Sequence, residues 1–279
     1  MAGLTEDPLV SASWLLANQN APDLRIIEAT WYLDAPGKAK TDYLEGHIPG
    51  AVFFDVDEVS DPDSPYPRML PNTVKFSARA RRMGIGDGNR LVIYDRNRFM
   101  ASARVWWMLR VMGARDVAVL DGGLDAWQRA GGPLNDMPPI SLDRHFTPRF
   151  RRDLVKSIDQ VQEALVDGGT QIIDARPAAR FQGRESEPRA DMAAGHMPGA
   201  KNVPAGEVLN ADGTMKSPGA LRDLFQVSDE PVITTCGSGV TAATLALALA
   251  RLGRPDVAVY DGSWAEWGST RGCPVERGA

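Results

Sequence analysis

Cysteine and histidine are scarce in this 279-residue chain, which has two of the first and three of the second. Cys236 and Cys273 are too few for a disulfide framework, and a reducing, cytoplasmic setting is the default expectation for such a chain. His47, His145 and His196 stand far apart along the chain with no zinc-ligand spacing, so no metal is expected. Long apolar runs are also missing. The longest weakly polar stretch, residues 240–250, falls short of the ~20 residues that a membrane span needs. The opening MAGLTEDPLV has neither a positive n-region nor an apolar h-region, so no secretory leader is expected. Nor is there a basic block. Lys and Arg (31) against Asp and Glu (36) leave a net charge of -5, spread along the chain, which speaks against nucleic acid or an acidic membrane as partner.

What is present is ordinary globular composition, written twice. RIIEAT (25–30) resembles QIIDAR (171–176), and GHIPGA (46–51) returns as GHMPGA (195–200). LVIYD (91–95) corresponds to PVITT (231–235), and GARDVAVLDGGLDAW (113–127) to GRPDVAVYDGSWAEW (253–267). Four matches in one order and at nearly one spacing imply a duplicated domain of roughly 120 residues, an ordinary domain size. The expected division is a first domain over 8–133, a proline-rich linker over 134–153, and a second domain over 154–276.

The short runs RIIE, LVIYD, VAVLD, QIID, PVITT and VAVY are continuous, β-rich and apolar, as buried parallel strands are. Between them SARVWWMLRVMG (102–113) and TAATLALALARLG (241–253) read as helices ending at glycine. Ser157, three residues before Gln160, predicts a capping box. Strands alternating with helices give an α/β fold, each domain a mostly parallel sheet flanked by helices. The Pro-Gly segments GHIPGA and GHMPGA read as turns.

Cys236 sits where the run PVITT passes into the helix, in ITTCGSGVTAA (233–243). An ungapped alignment of the copies at an offset of 140 sets Arg96 opposite Cys236, and Asn97, Arg98 and Phe99 opposite Gly237, Ser238 and Gly239. The scaffold repeats but the loop does not. A cysteine required only by the fold would face a small apolar twin, so a site is favoured over a buried structural cysteine. The loop follows the carboxyl end of a parallel strand, where open α/β sheets place ligands, and it opens a helix, whose free amides and dipole favour an anion. Gly237 and Gly239 can take left-handed angles and let successive amides converge, which favours a nucleophilic thiolate on Cys236. Ser238 and Thr241 offer hydroxyls. Five residues after Cys236 stands Ala242, so the arginine that a phosphate-cradling cysteine loop needs is missing, as is a redox CxxC.

The whole resembles the tandem-domain rhodanese-like sulfurtransferases, with CGSGVTA (236–242) closest to the 3-mercaptopyruvate sulfurtransferases. The resemblance runs from about Trp14 to Val275 and includes SDPDSPYPRMLP (60–71), VWWML (105–109), DARPAARFQG (174–183), EPR (187–189) and YDGSWAEWG (260–268). It implies an enzyme in which Cys236 takes sulfur from 3-mercaptopyruvate as a persulfide, releases pyruvate, and passes the sulfur to a thiol such as thioredoxin or to cyanide. It implies no cofactor. Arg180 and Arg189 match the family's two carboxylate-binding arginines, and Gly237, Gly239, Val240 and Thr241 its substrate-facing loop. Ser238 and His47 match a serine and a first-domain histidine used in proton transfer; His47 is equally paired with His196 by the repeat, which suits a scaffold role. Two other readings stay open: a thiosulfate:cyanide sulfurtransferase, which usually carries basic residues at the positions of Gly237 and Ser238, and a non-catalytic binding module. Arg176 is expected to pair within its domain, Trp107, Trp127, Trp264 and Trp267 to fill core, and Cys273 to be incidental.

Overall fold

The computed structural model describes residues 7–189, 191–226 and 228–278. The first six residues, which carry most of the leader argument, lie outside the described range. The chain forms two compact units. The first takes the chain up to Asp61, with Leu70–Arg151 and Ala211–Met215; the second takes Pro62–Met69, Arg152–Asn210 and the chain from Lys216 onward.

In the first unit, strands β1 (Leu9–Val10), β2 (Leu24–Glu28), β3 (Val52–Phe53), β4 (Arg90–Tyr94) and β5 (Val117–Leu120) form one sheet in the order β1-β5-β4-β2-β3. Every pairing is parallel. Helices α1 (Ala12–Asn18), α2 (Lys38–Glu45), α3 (Val56–Val59), α4 (Thr73–Arg82), α5 (Ser102–Val111) and α6 (Gly123–Arg129) connect and flank it. Leu15, Ile26, Val92, Leu120 and Trp127 build a core on one side. The proline-rich segment belongs to this unit up to Arg151 and is packed onto it. The Arg149 amide reaches the Met112 carbonyl at 2.9 Å, and Phe146 is buried against Phe76.

The second unit repeats the plan with β6 (Val155–Lys156), β7 (Gln171–Asp174), β8 (Lys201–Asn202), β9 (Val232–Thr235) and β10 (Ala258–Tyr260) in the order β6-β10-β9-β7-β8, again all parallel. Its helices are α7 (Ile158–Asp167), α8 (Ala178–Phe181), α9 (Pro218–Phe225), α10 (Ala242–Arg251) and α11 (Ser263–Trp267). Ser157 and Gln160 form the expected capping box on α7. Ala242–Ala250 is buried on every side of α10, which explains why its sequence shows no polar face. Among the described residues no helix is long and apolar enough to cross a membrane.

The strand registers correct the ungapped alignment of the copies. Ile93 pairs with Val119, while Thr234 pairs with Val259. Val119 and Val259 correspond in the repeat, so Ile93 corresponds to Thr234, and Asp95, not Arg96, to Cys236. Backbone bonding agrees: the Leu124 amide holds the Asp95 carbonyl at 3.0 Å, and the Trp264 amide holds the Cys236 carbonyl at 2.9 Å. The first loop is one residue longer before its helix begins at Ser102, against Ala242 in the second unit. An alignment without gaps cannot register that insertion.

Candidate active site

Cys236 is the first residue past β9 and is 2 % exposed. Its amide donates to Ser263 Oγ at 3.2 Å, and the Ser263 hydroxyl donates to the Tyr260 carbonyl at 2.8 Å. The first amides of α11 hold the other side of the loop, Trp264 on the Cys236 carbonyl and Ala265 on the Gly237 carbonyl, both at 2.9 Å. Ser263 was not singled out in the sequence. It stands at φ 49°, a left-handed angle that its counterpart Gly123 (φ 56°) adopts without strain. A serine at a glycine's position in the twin is the signal that could have found it.

The two loop glycines serve different ends. Gly239 takes the expected left-handed conformation at φ 73°. Gly237 does not; its use is closeness. A Cβ there would stand 3.3 Å from Nη2 of Arg180, tight enough to press that guanidinium back by a few tenths of an ångström, so the bare backbone gives it room beside the loop. Ser238 is half-buried, Val240 is buried, and Thr241 caps α10 without a side-chain capping bond. The Thr235 hydroxyl, just before the cysteine, is buried without a hydrogen-bond partner.

Behind the loop lies a chain of buried charge. Arg176 is 1 % exposed and binds both Asp174 oxygens, with Nη2–Oδ2 at 2.7 Å. It also donates to the Gly195 carbonyl and to Glu187 Oε1, each at 2.8 Å, and stacks over Trp264 with 4.1 Å to the ring centroid. The other Glu187 oxygen accepts from Nη2 of Arg180. Arg176 thus pairs within its unit as expected. Arg189 is placed differently from Arg180. Its side chain is 42 % exposed and forked onto Asp191, with contacts of 2.8 and 3.2 Å. That bond holds the Asp191 carboxyl below the ordinary carboxylate range.

The first unit shows the same loop filled differently. Asp95, in the cysteine's place, turns its carboxylate back onto the loop and accepts from the amides of Asn97, Phe99, Ala101 and Ser102 at 2.9–3.3 Å. Burial raises the pKa of this carboxyl, against those amide bonds, which favour its charge. Arg96, in the place of Gly237, folds onto Glu28 and the Gly46 carbonyl. These are the counterparts of Asp174 and Gly195, so Arg96 does in the first unit what Arg176 does in the second.

His47 is fully buried in the first unit. Its Nδ1 lies 2.7 Å from the Tyr43 carbonyl, which can only accept, so Nδ1 carries the proton. His196 repeats the arrangement on the Phe181 carbonyl at 2.9 Å, and each imidazole stacks on the ring of that same residue. The scaffold role is therefore real for both. The two differ at Nε2: that of His47 is buried without a partner, while that of His196 lies 3.9 Å from Glu276. Trp107, Trp127, Trp264 and Trp267 are all buried. Cys273 is half-buried, its sulfur 3.3 Å from Gln162 Nε2, and burial pushes its thiol up.

The Rhodanese-like domain model matches the chain twice, over residues 11–130 and 157–270. The 3-mercaptopyruvate sulfurtransferase of Escherichia coli is 42% identical over 275 residues, covering 96% of this chain and 97% of that protein. A thiosulfate sulfurtransferase of Rattus norvegicus is 40% identical over 270 residues, covering 93% and 91%. The crystal structure of SseA from Escherichia coli, a 3-mercaptopyruvate sulfurtransferase with the rhodanese fold, superimposes with a TM-score of 0.84 at 40% identity, covering 92% of this chain and 98% of that one. The duplicated parallel sheets, the loop at a strand's carboxyl end and these matches lead to one conclusion: the chain belongs to the rhodanese-like family and carries two such domains in tandem.

Proposed function

We propose that the protein is a 3-mercaptopyruvate sulfurtransferase whose second domain carries the reaction and whose first, 8–133, is non-catalytic. The carrying observation is the loop itself: a cysteine at the strand end, with Arg180 lying over the bare Gly237 beside it. The Cys236 thiolate attacks the donor sulfur. The carbon–sulfur bond breaks, its electron pair goes to carbon as pyruvate enolate, and the enolate takes a proton through Ser238 with His47 in support. Arg180 and Arg189 hold the donor carboxylate; Arg189 must leave Asp191 to do so. Gly239, Val240 and Thr241 shape the pocket, and the loop amides stabilise the outer sulfur of the Cys236 persulfide. A thiol, thioredoxin among the candidates, or cyanide then removes that sulfur and regenerates the thiolate. The setting proposed is the cytoplasm.

Mixing the protein with 3-mercaptopyruvate and reading the Cys236 peptide by mass spectrometry should show the gain of one sulfur. No gain in the wild type, or full pyruvate production by Cys236→Ser, would end this reading. Replacing Arg180 or Arg189 by Gln should raise KM for the donor roughly tenfold or more, the loss of a charge-assisted contact, and leave KM for the acceptor nearly unchanged. A thiosulfate donor is the second reading, because a thiosulfate sulfurtransferase is about as similar as the mercaptopyruvate enzyme. The neutral Gly237-Ser238 pair favours the keto acid over a dianion, and kcat/KM for the two donors decides.

A further inference from the structure

We propose that Glu187 is the positioning residue for Arg180: it holds the guanidinium beside the loop, where the missing side chain of Gly237 leaves room for it. The inference rests on the reading of Arg180 as a carboxylate-binding residue and adds what sets its place.

The argument starts from burial. Glu187 has no exposed side-chain surface and Arg176 only 1 %, while Arg180 has 23 %. A buried carboxylate must be matched by charge and hydrogen bonds. Glu187 divides its two oxygens between two guanidinium groups, Oε1 to Arg176 and Oε2 to Arg180. Arg176 cannot move, because Asp174, the Gly195 carbonyl and the Trp264 ring hold it. Glu187 therefore passes that fixed position on to Arg180, the one member of the row that reaches solvent. Asp174, Arg176, Glu187 and Arg180 alternate in sign and sum to zero, so the row is neutral without help from outside. The Nε of Arg180 is buried without a partner, Nη2 gives one hydrogen to Glu187, and Nη1 is the nitrogen that Glu187 does not hold.

The first unit shows the alternative. There the cation on the buried acid comes from the loop itself, from Arg96 at the position of Gly237. Because Arg176 has taken over that duty in the second unit, position 237 can be bare. The residue preceding the ring that stacks on the histidine is Asp42 in the first unit and Arg180 in the second, a reversal of charge at the same place.

The test is steady-state kinetics on the full chain with 3-mercaptopyruvate and cyanide. Glu187→Gln keeps the shape but turns a donor toward one of the two guanidinium groups. It should raise donor KM about tenfold, weaken inhibition by pyruvate by the same factor, and leave acceptor KM within about twofold. A residue acting through Arg180 also shows no added effect in its absence, so Arg180→Gln/Glu187→Gln should be no worse than Arg180→Gln alone. Gly237→Ala leaves Asp174, Arg176 and Glu187 in place and presses on Arg180 from the loop side; it should raise donor KM in the same direction by a smaller factor, an effect also lost in the Arg180→Gln background. Donor and acceptor KM rising together, or additive effects in the double variants, would overturn the positioning role. An unchanged donor KM in Arg180→Gln would overturn the carboxylate reading as well, which separates the two failures.

Discussion

At the scale of single residues, the sharpest contrast is between Asp95 and Cys236. One position in the duplicated fold carries a carboxylate in the first unit and a thiol in the second. The Asp95 carboxylate gathers four loop amides, so the turn is an anion holder by backbone geometry and not by any one side chain. Cys236→Asp is therefore expected to fold, to match or exceed Cys236→Ser in unfolding midpoint, and to lack all sulfur transfer. A midpoint several degrees below that of Cys236→Ser would show that the second loop cannot gather its amides in the same way. The special standing of Cys236 was legible from its mismatched twin, although the twin was misplaced by one residue. Arg180 entered through the family pattern, as a residue proposed to bind the donor carboxylate. Ser263 and Glu187 were not legible, because each acts through a partner distant in sequence: Ser263 through the amide 27 positions away, Glu187 by joining Arg176 and Arg180.

At the scale of elements, the central strands and long helices were readable and the edges were not. β2, β4, β5, β7, β9 and β10 are apolar runs that announce themselves. The two-residue strands β1, β3, β6 and β8 carry no periodicity and exist only because a neighbouring strand offers its free edge. The proline-rich segment was legible as lacking regular structure, but its packing was hidden. It depends on glycines elsewhere: a Cβ on Gly86 would meet Arg144 Cβ at 2.7 Å, and one on Gly113 would meet Arg149 Cβ at 2.7 Å. The capping box on α7 was visible and carries a direct test. Ser157→Ala removes the acceptor for the Gln160 amide and should lower stability by about 1 kcal/mol in denaturant titration, with sulfur transfer unchanged because the capping bonds join only Ser157 and Gln160 and touch no residue of the Cys236 loop. No change in midpoint would mean that solvent replaces the cap fully.

At the scale of the whole molecule, duplication is what made the function readable. Each unit keeps the same sheet order, the same turn at GHIPGA or GHMPGA, and the same guanidinium on a buried strand-end acid. What differs is where that guanidinium is rooted. Rooted in the loop, as Arg96, it fills the position after Asp95; rooted past the strand end, as Arg176, it leaves the matching position, Gly237 after Cys236, clear. The loop of the first unit is filled by its own side chains, the Asp95 carboxylate on four amides and the Arg96 guanidinium on Glu28.

That filled loop has a thermodynamic consequence. The first unit carries its anion on a tether, at an effective concentration that nothing in solution changes, so its loop is ordered at all times. The second unit has a thiol where the first has that carboxylate; on the proposed reaction its loop amides meet only what the Cys236 sulfur carries. Hydrogen exchange should separate the two on the proposed reaction: after 3-mercaptopyruvate is added, amides 97–102 keep one protection level, while amides 237–242 gain protection as the proposed Cys236 persulfide forms and lose it when an acceptor is added. Equal behaviour of both loops would show that the turn's order owes nothing to the anion it was shaped to hold.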